Sequence, residues 1–135
     1  MAKPQRVTCF KANLEDRPGA LLAVLQGLKS KNIGLVGLWG YATEPGKADL
    51  WVVPKNPDKL RAAWSASGTL ADERTAFLLK GADKTGALLK PLEALASAGV
   101  NMSAADGIAV SGNFGSLVWV GPADVEKAAQ ALGAK

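Results

Sequence analysis

Residues 6–14 alternate apolar and polar positions, with Phe10, Ala12 and Leu14 on one side. Period-two alternation predicts a strand with one buried face. Pro18-Gly19 interrupts it. Leu21, Leu22, Leu25 and Leu28 then recur at helical spacing, with Val24 widening the stripe. This predicts an amphipathic helix, and Asn32 is its expected stop. Residues 33–43 are apolar and predict a strand. Glu44-Pro45-Gly46-Lys47 follows, with Pro and Gly where a turn needs them. Residues 48–53 return, placing Leu50 and Val52 on one face and Trp51 and Val53 on the other. Asn56-Pro57-Asp58 reads as N-cap, N1 and N2 of a second helix. Leu60, Ala63, Trp64 and Ser67 line its inner face, and Gly68 ends it.

The pattern then restarts. Shifting residues 7–53 forward by 67 positions brings them onto residues 74–120. Asp16-Arg17-Pro18-Gly19-Ala20-Leu21-Leu22 lands on Asp83-Lys84-Thr85-Gly86-Ala87-Leu88-Leu89, and Leu25 and Leu28 land on Leu92 and Leu95. A repeat of this length means two copies of one supersecondary unit. The second copy predicts a strand over 74–80, a helix over 86–98 with Leu88, Leu92 and Leu95 inward, and a strand over 102–110. A loose turn over 111–115, a strand over 116–120 and a last helix opened by Pro122-Ala123-Asp124 complete it. Pro91 conflicts with the helix, because it removes a donor. Either a kink near Lys90 or a helix beginning at Pro91 follows.

Each copy reads β-α-β-β-α, the split arrangement of ferredoxin-like folds. The fold class expected is therefore α+β: two tandem units, residues 1–70 and 71–135, with antiparallel sheet and helices on one face. A complete unit of this kind has a fourth strand. Either residues 74–80 also take a fourth-strand position, or the units lack that strand.

Composition narrows the chemistry. The 135 residues carry 48% hydrophobic and 21% charged side chains, ordinary for a globular chain. Units of this size have thin cores and should share a core or a continuous sheet. No apolar run nears the length of a membrane span, and no signal-peptide pattern opens the chain. The single cysteine, Cys9, excludes an internal disulfide framework and fits a cytoplasmic location. Cys9 is expected to be a small buried hydrophobe. The net charge of +4 is scattered, so no nucleic-acid partner is expected. Histidine is absent, which removes the commonest acid–base group and metal ligand. With one cysteine there is no metal constellation either. No catalytic residue, metal or cofactor is expected, and the chain is not read as an enzyme.

The repeated element between strand and helix carries the functional signal. Asp16-Arg17-Pro18-Gly19-Ala20-Leu21 resembles the D-[RK]-P-G-x-[LIV] signature of ACT domains. Asp83-Lys84-Thr85-Gly86-Ala87-Leu88 is a second match lacking the proline. Gly99-Val100-Asn101-Met102 resembles the family's G-[IV]-N-[IV] turn, whereas the first copy has Gly34 in place of that asparagine. The resemblance spans nearly the whole chain as two copies. It implies small regulatory modules that bind amino acids, with ligand between the first-helix loop of one unit and the second strand of another.

Physical chemistry supplies a reason. A helix N-terminus offers unpaired N–H groups and partial positive charge, and glycine there leaves room for a ligand. Gly19, Ala20, Gly86 and Ala87 are candidate seats for a carboxylate. Asp16, Asp83 and Asn101 are candidates for an α-ammonium, and Arg17 belongs to the same loop. Competing readings make Asp16 and Asp83 helix caps and Asn101 a left-handed turn residue. The function expected is a non-catalytic amino-acid sensor acting as a homodimer. The alternative is a ligand-free scaffold with the same fold.

Overall fold

The computed structural model describes residues 3–134. The chain divides into two units. The first is Thr8–Arg74, and the second joins residues up to Val7 with those from Thr75 onward.

In the first unit, β1 (Gln5–Glu15) leads through a turn to α1 (Ala20–Ser30), then β2 (Leu35–Glu44), β3 (Lys47–Pro54) and α2 (Pro57–Ser67). Asn56 caps α2 by accepting from the Lys59 N–H at 3.1 Å, and Pro57 occupies the first turn where no donor is needed. Helix α1 ends on Asn32 at φ 57°. The Ile33 N–H reaches back to the Leu28 carbonyl and the Asn32 N–H to that of Lys29, a Schellman closure. Strand order is β2-β3-β1-β4, where β4 is Leu70–Ala82. Antiparallel register sets Phe10 opposite Val52 and Ala12 opposite Leu50. That alternation presents Phe10, Ala12, Leu50 and Val52 to Leu28, Leu60 and Trp64 of the helices. The opposite sheet face is apolar too: Cys9, Trp51 and Val53 are buried.

The second unit contains the remainder of β4, α3 (Leu89–Ser97), β5 (Met102–Ala105), β6 (Ile108–Val110), β7 (Asn113–Val120) and α4 (Val125–Leu132). Its order is β5-β7-β4-β1, with β6 also paired to β7. The core joins Phe77, Leu79, Val118 and Val120 of the strands to Leu95, Ala128 and Ala129 of the helices. Helix α3 closes on Gly99 with the same pair of bonds that closes α1 on Asn32.

The fourth strand is therefore not missing. Residues Leu70–Arg74 at the start of β4 belong to the first unit, and the start of β1 up to Val7 belongs to the second. Strand β4 is correspondingly longer than the 74–80 expected.

Each fourth-strand segment is tied to a helix of its unit by a two-point Arg–Glu pair. Arg61 of α2 donates to Glu73 of β4 at 3.0 and 2.6 Å, and Arg6 of β1 donates to Glu126 of α4 at 2.8 and 3.0 Å. The polarity is reversed between the two.

Three other expectations need correction. Helix α3 begins at Leu89 rather than 86. Pro91 then falls in the first turn, where its absent N–H leaves no bond unmade. The strand expected over 102–110 is broken at Asp106-Gly107. There the Asp106 carboxylate accepts the Leu117 N–H at 2.8 Å and the Asp106 N–H donates to the Leu117 carbonyl at 3.0 Å. The turn expected over 111–115 is only Ser111-Gly112, both at positive φ (52° and 80°), which is the two-residue hairpin geometry.

Candidate functional site

The loop before α1 is built by one turn. The Ala20 N–H donates to the Arg17 carbonyl at 3.3 Å, and Gly19 sits at φ 85°, ψ −10°. With Pro18 ahead of it, this is a type II turn, which requires positive φ at its third residue. The loop before α3 repeats it: Ala87 donates to Lys84 at 3.0 Å around Gly86 at φ 75°. The Pro-Gly of the motif is thus explained by backbone geometry first. A second shared bond anchors each loop to its hairpin. The Asp16 N–H donates to Gly46 at 3.0 Å, and the Asp83 N–H to Gly112 at 2.9 Å.

Neither aspartate caps a helix: Gly19 and Leu88 hold the cap positions and no side chain accepts there. The capping alternative for Asp16 and Asp83 is thereby removed, and both side chains are exposed. The amides of Ala20 and Ala87 are already taken by their turns. The donors left in the first loop are the N–H groups of Leu21 and Leu22, which have no acceptor one turn earlier and make no side-chain bond. Sequence reasoning did not single out these two.

In the first unit, Asp16, Arg17 and Ala20 line a cavity of about 320 Å³ with Leu21, Tyr41 and Asp49. A more open hollow of about 910 Å³ shares Asp16, Arg17 and Asp49 and adds the hairpin residues Thr43, Gly46 and Lys47. Arg17 is paired with Glu15 at 2.6 Å, but both are well exposed, at 62% and 74%. Such a pair contributes little and is readily exchanged for a ligand. Asp49 is half-buried on β3, with Lys11 at 3.9 Å. Asp49 was also missed, although a carboxylate between Ala48 and Leu50 in an apolar strand is a signal in itself.

In the second unit, Gly86 and Ala87 line a different cavity of about 710 Å³, which Asp83 does not line. A Cβ on Gly86 would meet Leu89 Cδ1 at 3.0 Å, so this loop is tighter than the one at Gly19, where nothing lies within 4 Å. Asn101 is exposed and follows α3 at its C-terminal end. Nine helical residues, about 13 Å, separate it from the Gly86 loop, and within this unit the two do not meet. Nor does Asn101 hold a left-handed turn, since Gly99 takes the positive φ.

Hydrogen bonds from Arg61 hold the Glu73 carboxyl below its ordinary range, and those from Arg6 do the same for Glu126. Among the described residues no cluster of three or more His, Cys, Asp or Glu is placed to hold a metal ion. No described helix is long and apolar enough to cross a membrane.

No protein-family model matches this chain, and no curated protein matches it in sequence. Solved structures do match in fold. Protein BT0572 from Bacteroides thetaiotaomicron superposes with a TM-score of 0.81 at 21% identity, covering 96% of this chain and 88% of that one. The ligand-free regulatory subunit of aspartate kinase from Thermus thermophilus gives 0.66 at 20% identity, covering 96% and 91%. The regulatory subunit of aspartate kinase from Thermus flavus gives 0.59 at 18%, with the same coverage. The chain shares its fold with these structures.

Proposed function

We propose that this chain is a non-catalytic regulatory module, built from two ACT-type units, that binds a free α-amino acid at the loop before α1. One observation carries the reading. Around a single cavity of about 320 Å³, the strand–turn–helix brings together the unpaired Leu21 N–H, the Arg17 guanidinium and the carboxylates of Glu15, Asp16 and Asp49. A zwitterion has the complementary charges. Its carboxylate would sit at the start of α1 against the Leu21 N–H, assisted by Arg17 released from Glu15. Its ammonium would lie against Asp16, with Asp49 behind. The volume is at the lower end for small-molecule sites, which suits a compact ligand. The fold likeness to aspartate kinase regulatory subunits points the same way.

The same reading makes the module a homodimer, since small units leave strand edges to cover. Light scattering at micromolar concentration should give twice 13.9 kDa, and a monomer refutes this part.

One observation favours the scaffold alternative: the Ala20 and Ala87 amides are spent on their turns. A thermal-shift screen against the twenty amino acids separates the two, because a ligand selective for the folded state raises apparent stability. The sensor reading expects a selective shift, reduced by Asp16→Asn. If no amino acid shifts the transition, the scaffold reading replaces it.

A further inference from the structure

The cavity of the second unit differs in chemistry from that of the first. Its volume is about 710 Å³. Its walls are hydrocarbon: Pro91 and Ala94 of α3, Phe114 of β7 and Leu132 of α4. Its charged lining consists of Lys84 and Lys90, and no acidic side chain of the described residues reaches it. The Gly86 loop between these lysines adds backbone and the Thr85 hydroxyl. The first unit's cavity is lined by Glu15, Asp16 and Asp49, whereas the charged lining of this one is cationic.

That asymmetry decides the ligand class. A carboxylate finds two ammonium groups at the mouth and an apolar interior for its tail. An α-amino acid of the same tail length brings an ammonium that has no acceptor and lies beside two like charges. The volume exceeds what the short side chains of most amino acids fill. We infer that the second unit binds an organic carboxylate with an apolar body and no ammonium group, held by Lys84 and Lys90 over the Gly86 loop. This goes beyond the amino-acid reading of the first unit and does not depend on it.

The test is calorimetry with octanoate and with 2-aminooctanoate on the full chain carrying Asp16→Asn, so that the first unit's loop does not add amino-acid binding of its own. The two probes share a tail and differ only in the ammonium. Octanoate should bind saturably, one per chain, and 2-aminooctanoate at least about tenfold more weakly. Lys84→Glu combined with Lys90→Glu changes two exposed side chains and should fold normally. It should weaken octanoate by at least about tenfold. Ala94→Trp fills the cavity and should abolish octanoate binding; near-ultraviolet circular dichroism checks that this variant is folded. The inference is overturned if octanoate fails to bind, if both probes bind alike, or if octanoate binding survives the lysine reversals. Retention in a folded Ala94→Trp variant also overturns it, because the tail then lies elsewhere.

Discussion

Replacing glycine by alanine should have opposite effects at two nearby positions, Gly19 and Gly27. Gly19 is the third residue of the type II turn at φ 85°, and an added Cβ there meets nothing within 4 Å. The cost of Gly19→Ala is therefore conformational alone. Placing an L-residue in the left-handed region costs about 1–2 kcal/mol. Loss of unfolded-state entropy returns about 0.4–1 kcal/mol, so the net loss should be about 1 kcal/mol. Gly27 lies inside α1 and is exposed, and a methyl group added there also meets nothing within 4 Å. Gly27→Ala meets no strain, and helix propensity favours it by about 0.8–1.0 kcal/mol. The two variants should differ by about 2 kcal/mol. At roughly 4 °C per kcal/mol for a chain of this size, that is about 8 °C in Tm. Urea titration of the parent and both variants in one buffer measures it, with an unchanged m-value as the condition for comparison. If Gly19→Ala is as stable as the parent, the turn assignment is wrong. Gly86→Ala serves as a control. Its Cβ meets Leu89 Cδ1 at 3.0 Å, but Leu89 is 61% exposed and can swing away, so the cost should match that at Gly19.

Leu60→Ala should destabilise by about 2–5 kcal/mol, read by urea unfolding, because Leu60 is fully buried between α2 and the sheet. Asp106→Ala should cost about 1–3 kcal/mol by the same assay, since the buried Leu117 N–H loses its acceptor. Glu73 is held below its ordinary value of 4.5 by Arg61, so its contribution is present above that pH and is lost as pH falls through the lower folded value. The stability gap between parent and Glu73→Gln should accordingly narrow on acidification below about pH 4.5; a gap that widens refutes the pairing. Asp16→Asn should weaken the amino acid found by screening by about 1.5–3 kcal/mol in calorimetry, the worth of a hydrogen bond to a charged group.

Local rules made most of the first unit legible. The Asn56 cap, the Pro57 start and the Gly68 end of α2 each rest on a neighbouring residue or two, and so did the Asn32 closure of α1. What was not legible depends on partners distant in sequence. Leu70–Arg74 ends in three consecutive charges and shows no strand alternation. It extends β4 because Glu73 meets Arg61 and the Arg74 guanidinium lies 5.9 Å over the Trp51 ring. The break at Asp106 needed Leu117, eleven residues on. In the candidate site, the loop and its turn were readable from Asp16, Arg17 and Gly19. Tyr41 was not, and Asp49 showed only as a charge in an apolar strand, because the β2–β3 register is what carries both to that loop.

The sharing of β1 and β4 imposes an order on assembly during synthesis. The first unit has all its strands and both its helices once Arg74 has left the ribosome. The residues around Arg6 do not: their helix partner Glu126 lies 120 positions downstream. At roughly 5–20 residues per second, the residues around Arg6 wait about 6–24 s for that helix. Until then this segment lacks the Arg6–Glu126 clasp that holds it in the finished fold.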